Sequence, residues 1–214
     1  MKRFQWLLIP LLLVFAASAT APPAVAAERL SDSELRALPG YVDFGDVWKF
    51  SDGDQEVEIE LTQPLLSVVA PFLRSEDPEL ADLILDLHLV RVNAFDFDRD
   101  DRDEVLEMMR SNAEKLRKGT WDNIVKVRGE DENVNVFVSI EGDGSDPGET
   151  YLNGLAVLVV DDGEAAFVNV VGRFRMEDIA RIGAHFDLPH SGDWSQMKEQ
   201  IEEQNQRRDE GNRR

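Results

Sequence analysis

The chain has 214 residues, with 43 Asp and Glu against 23 Lys and Arg, a formal net charge of −20. That length carries one domain with a real core, and 43% hydrophobic residues exclude wholesale disorder. The lack of cysteine excludes disulfides, thiolate metal sites, thiol nucleophiles and a lipid-bearing cysteine, and the acidic balance argues against nucleic acid as a partner.

Lys2 and Arg3 precede a mostly apolar stretch over 4–17, and Ala24-Val25-Ala26 has the small-x-small form that a signal peptidase accepts. This predicts a signal peptide over 1–26 and a mature chain starting near Ala27, periplasmic or secreted. The stretch is short for a span of ~20 residues and Pro10 interrupts it, so no transmembrane segment is expected in the mature chain. Loss of Lys2 and Arg3 with no acid takes the charge from −20 to −22. A single α+β domain is expected over 28–190. Residues 191–214 are polar and charged, with only Met197 and Ile201 as a helical pair, and read as a frayed helix or disordered tail.

Val57, Ile59 and Leu61 alternate with Glu56, Glu58 and Glu60, the period of a half-exposed strand. Thr62-Gln63-Pro64 then starts a helix with Leu65, Val69, Phe72 and Leu73 as its apolar face and Pro71 as its kink or end. Asp77-Pro78 starts another, with Leu80, Leu83, Ile84 and Leu87 at helical spacing. A strand follows over 89–97. Asp100 or Asp101 caps a third helix with Val105, Met109, Ala113 and Leu116 on one side and Gly119 as its stop. Strands are expected over 124–128, 133–141, 151–160 and 165–171, with a loop over 142–150. Asp162-Gly163 between apolar runs marks a tight hairpin, and the wholly apolar stretch 155–160 reads as a central strand covered on both faces. A last short helix is placed at 176–186. The order predicts an α+β fold: a largely antiparallel sheet of about six strands with helices packed on one face.

Leu38-Pro39-Gly40-Tyr41-Val42-Asp43-Phe44, near the expected mature start, resembles the domain-of-unknown-function family DUF4252, a family of bacterial exported proteins. Val57-Glu58-Ile59-Glu60-Leu61, Glu76-Asp77-Pro78-Glu79-Leu80 and Leu89-Val90-Arg91-Val92-Asn93 carry the same resemblance, which spans 38–186. It implies export and a compact α+β domain and supplies no catalytic role. Many members are lipoproteins; this chain has no cysteine to carry lipid.

No residue set stands out as catalytic, cofactor-binding or metal-binding. His88, His185 and His190 lack the spacing of a metal motif. Ser67 sits among apolar helical neighbours, and Ser139 alternates with core valines and is expected to face outward. Asp96, Asp98 and Asp100, with Glu107 at the twelfth position, partly match a calcium loop. Asp101 replaces the turn glycine, however, and the acids of 96–107 equally suit the first turn of a helix. Glu56, Glu58 and Glu60 form either a solvated face or a docking face for a basic partner. Arg91, in an apolar strand, is expected to pair with one of them. Trp48, Trp121 and Trp194 are core or binding aromatics, Trp121 covering the core edge. The function read from these features is an exported acidic non-enzymatic domain that binds a basic protein partner in the cell envelope. A small carboxylate-using hydrolase and a calcium-stabilised structural protein are the alternatives.

Overall fold

The computed structural model describes residues 30–53, 55–130, 132–141, 151–176 and 178–179. The alternating glutamates and β-branched residues form β1 (Glu56–Thr62), which is followed by α2 (Gln63–Leu73) and α3 (Pro78–Leu85). Before them comes a short α1 (Asp32–Arg36). The chain continues through β2 (Leu87–Asp96), α4 (Arg102–Lys118), β3 (Trp121–Arg128), β4 (Asn133–Ile140), β5 (Tyr151–Val160) and β6 (Glu164–Arg175). The six strands make one sheet in the order β1-β2-β6-β5-β4-β3, every neighbouring pair antiparallel. The α+β expectation holds.

The pairing register sorts side chains into two faces. One row runs Glu58–Asn93–Phe167–Leu158–Asn135–Lys126, and its neighbour runs Glu56–Phe95–Ala165–Val160–Asn133–Arg128. α4 covers this face: its Val105, Met109, Ala113 and Leu116 join Phe137, Leu158, Phe167 and Phe95 in one buried cluster. The aromatic rings interlock, with Phe44 and Phe95 centred 5.5 and 6.4 Å from Phe167. The opposite rows are largely apolar, such as Ile59–Val92–Val168–Val157–Val136–Val125, with Asp122 exposed at the β3 end of one of them.

Residues 38–53 lie across the α4 side as a strap. α1 precedes it and starts with a capping box: the Ser31 hydroxyl accepts from the Glu34 amide, while the Glu34 carboxylate accepts from the Ser31 amide at 2.8 Å. Leu35 then packs on Leu89 and Val171. Val42, Phe44 and Val47 enter the main core, and Trp48 leans on Phe95 at 5.8 Å. The strap approaches β5 backbone to backbone. A methyl group at Gly154 would lie 2.6 Å from the Gly40 Cα, so glycine is required at this crossing.

Several expectations need correction. The helix α2 runs two residues past Pro71. The proline sits in its exposed last turn, and the helix continues to Leu73, with the Arg74 amide bonded to the Ala70 carbonyl at 3.1 Å. The buried side of α2 is Leu66 and Ala70, while Leu65 and Phe72 are 50% and 43% exposed. A helix apolar nearly all round offers no sequence period from which to choose its inner side. Leu87 begins β2 instead of closing α3, because the helix stops at Leu85. Ser139 is buried, not outward, since Trp121 and Gly154 flank it on the covered face. β3 and β6 are longer than expected, a bulge between Asn123 and Val125 having masked the start of β3. The hairpin holds at 161–164: the Asp161 amide bonds the Glu164 carbonyl at 2.8 Å, and Gly163 takes a φ of 85°. The expected loop at 142–150 and the tail lie outside the described residues, as does all of the helix at 176–186 beyond its first few positions.

Candidate functional site

At the β1 edge the three glutamates line the α4 side of the sheet, all exposed. Arg91 reaches across from β2 and donates to Glu60 from Nε at 3.0 Å and from a terminal nitrogen at 2.6 Å. Its other terminal nitrogen donates to the Tyr41 hydroxyl at 2.9 Å, which ties the strap to this pair. Burial opposes the guanidinium charge, but the bonds to Tyr41 and Glu60 outweigh it and hold its pKa above the ordinary value. The expected pairing of Arg91 is thus met. Glu56 and Glu58 have no ion pair among the described residues.

The other edge carries the opposite sign. β3 ends Val125-Lys126-Val127-Arg128, its last three side chains exposed. Arg128, with desolvation and Arg117 adding to it, holds the Lys126 ammonium below its usual pKa. Arg117 and Arg128 line a shallow cleft with Arg110, Asn133 and Asn135 between α4 and β4, with about 40 Å³ of free space. That is room for a few waters, not for a substrate of ordinary size.

Between the edges lies a buried polar clamp. Asn169 is fully buried in β6. Its Oδ1 accepts from the Val42 amide at 2.9 Å, and its Nδ2 donates to the carbonyls of Gly40 at 2.9 Å and Leu155 at 3.2 Å. At the far end of β6, Arg173 lies 3.3 Å over the Tyr151 ring and bonds Glu141 at 2.8 Å. Arg175 and Arg173 together hold the Tyr151 phenol below its ordinary pKa.

His88 lies in β2 with a buried Nδ1 that has no hydrogen-bond partner among the described residues; His185, His190 and Trp194 lie outside them. Ser67 donates to the Gln63 carbonyl at 2.9 Å within α2. Asp96 ends β2 and Glu107 sits inside α4 beside Arg110 at 3.2 Å, so the calcium-loop spacing is spent on a strand end and a helix. Among the described residues no three His, Asp or Glu side chains converge as a metal site. Trp48 and Trp121 are partly buried against the core, as expected. Sequence reasoning missed Tyr41, Asn169 and the Lys126–Arg128 edge. A lone Asn amid valines and a basic–apolar alternation were the available signals.

A single antiparallel sheet with one side roofed by a long helix and a strap, and with oppositely charged edges, defines an α+β scaffold. The chain belongs to the family described as a domain of unknown function (DUF4252), whose model matches residues 50–182. The match starts after most of the strap. Neither a curated protein nor a solved structure matches the chain. No helix among the described residues is long and apolar enough to cross a membrane.

Proposed function

We propose that this chain is an exported, non-enzymatic binding domain whose β1 edge docks a basic protein partner in the cell envelope. The observation that carries the reading is the row of Glu56, Glu58 and Glu60 on an edge strand, with Glu56 and Glu58 unpaired among the described residues. Three like charges on one strand face repel one another mildly and gain from a basic neighbour. An edge strand also offers one line of backbone groups to an incoming strand. The dispersal of the carboxylates and the small cleft favour binding over hydrolysis. Export rests on the basic start, the apolar stretch and Ala24-Val25-Ala26.

A capped Lys-Val-Lys-Val-Lys peptide titrated into the mature protein by calorimetry should bind, and Glu56→Gln/Glu58→Gln should weaken it about tenfold. Equal binding by both proteins, or none by either, overturns the reading. Cell fractionation should find a chain beginning near Ala27 outside the cytoplasm; a full-length cytoplasmic chain refutes export.

A further inference from the structure

The two outer strands, β1 and β3, are complementary to each other. Five successive antiparallel pairings separate them, so they run in opposite directions. Two copies set side by side in the same orientation therefore bring the β3 of one antiparallel to the β1 of the next. The faces also agree. Glu56 and Arg128 end one row across the sheet, and Glu58 and Lys126 end the next, all on the α4 side. Val57 with Val127, and Ile59 with Val125, end the two matching rows on the apolar side.

From this match we propose that the chain associates head to tail with further copies of itself, the β1 edge of one molecule adding to the β3 edge of the next. Glu56 lies opposite Arg128 and Glu58 opposite Lys126 in this register, while Val57 meets Val127 and Ile59 meets Val125. The proposal deepens the edge-docking reading above and rests on it, since it names a second copy as the occupant. Glu56, Glu58, Lys126 and Arg128, two from each half of the joint, have no ion pair among the described residues. Lys126 feels the repulsion of Arg128 first and of Arg117 last, a surplus of positive charge in an acidic protein. Val127, 42% exposed, is covered when the strands pair. The bulge at 123–125 shifts the register of β3, so the matched stretch of the joint is about four residues long and weak. The two edges differ, so the contact is heterologous and grows into open chains instead of stopping at a dimer. The net charge opposes this over long distances. A Debye length of ~10 Å in 0.1 M salt damps that repulsion while leaving the contact pairs largely intact.

Sedimentation of the mature protein in ~0.1 M salt, from about 10 μM to about 1 mM, tests it. The average mass should climb with concentration past the dimer without a plateau, and fall toward the monomer in 1 M salt. Lys126→Glu/Arg128→Glu and Glu56→Lys/Glu58→Lys should each stay monomeric while keeping the wild-type circular dichroism. Mixed in equal amounts, the two variants should associate again, because each supplies the edge that the other has lost. The milder Glu56→Gln/Glu58→Gln variant should weaken association several-fold and guards against misfolding. A wild-type protein that is monomeric throughout, or association untouched by either reversal, or a mixture that stays monomeric, overturns the proposal. A monomeric protein that still binds the Lys-Val peptide refutes self-association alone and leaves the docking edge standing.

Discussion

Replacing Asn169 by alanine should loosen the strap from the sheet. The side chain satisfies the Val42 amide and the Gly40 carbonyl at 2.9 Å each, and it is fully buried. Alanine strands both groups where water does not reach. An unsatisfied buried polar group costs about 1–3 kcal/mol, so the pair predicts a loss of about 2–6 kcal/mol. For a domain of this size that corresponds to roughly 5–15 °C in Tm. Urea unfolding followed by tryptophan fluorescence gives the free energy, since Trp48 lies on the strap and Trp121 beside it. Asn169→Asp is the sharper comparison. It keeps the acceptor for Val42 but aims a carboxylate at the carbonyls of Gly40 and Leu155. Burial and those oxygens should raise its pKa in the folded state. The variant should then approach wild type at low pH and lose stability as pH rises from the unfolded carboxyl value, ~3.9, through the raised folded one. An alanine variant within about 0.5 kcal/mol of wild type would mean that water replaces the clamp, and the argument would fail.

A methyl group added by Gly154→Ala would meet Gly40 Cα at 2.6 Å and Trp121 Cη2 at 2.8 Å, so urea unfolding should show a loss of about 1–3 kcal/mol. Gly119→Ala should cost less, about 1 kcal/mol, because its nearest contact, the Leu116 carbonyl oxygen at 3.3 Å, is tight by only a few tenths of an ångström. A double-mutant cycle of Arg91→Met and Glu60→Gln should give a coupling of about 0.5–1 kcal/mol, because Glu60 is 41% exposed and solvent screens the pair. In a Tyr41→Phe background, absorbance titration should place the Tyr151 phenol below the ordinary tyrosine value of 10.0, and Arg175→Met should move it back up. The folded pKa is the lower one, so this group's stabilising contribution is full above the unfolded value and disappears as pH falls through the folded one.

The elements with a strong period were legible in the sequence. β1 showed its alternation, α4 its Val105-Met109-Ala113-Leu116 stripe, and β5 its unbroken apolar run, and each lies where expected. What failed had no local signature. The inward side of α2 depends on the neighbours of Leu66 and Ala70, because Leu65 and Phe72 are equally apolar. Ser139 reads as outward by alternation, yet that face is covered from a distance in sequence by Trp121 and α4. α1 is too short to show periodicity, although Ser31 and Glu34 spelled its capping box. Glu56, Glu58, Glu60 and Arg91 were legible as a charged strand face. The matching Lys126 and Arg128 were not, because their place at the opposite edge follows from strand order, which adjacent pairing rules do not give.

β6, the last strand in sequence among the described residues, lies between β2 and β5. Until it emerges, the earlier strands can form only two separate pieces, β1 with β2 and β3 with β4 and β5. Joining them requires contacts between residues far apart along the chain, such as Leu89 with Val171. The high contact order predicts slow folding, with completion delayed until β6 has been made. A nascent chain stopped before Glu164 would expose the inner edges of β2 and β5 together, with the apolar residues that β6 normally separates from water.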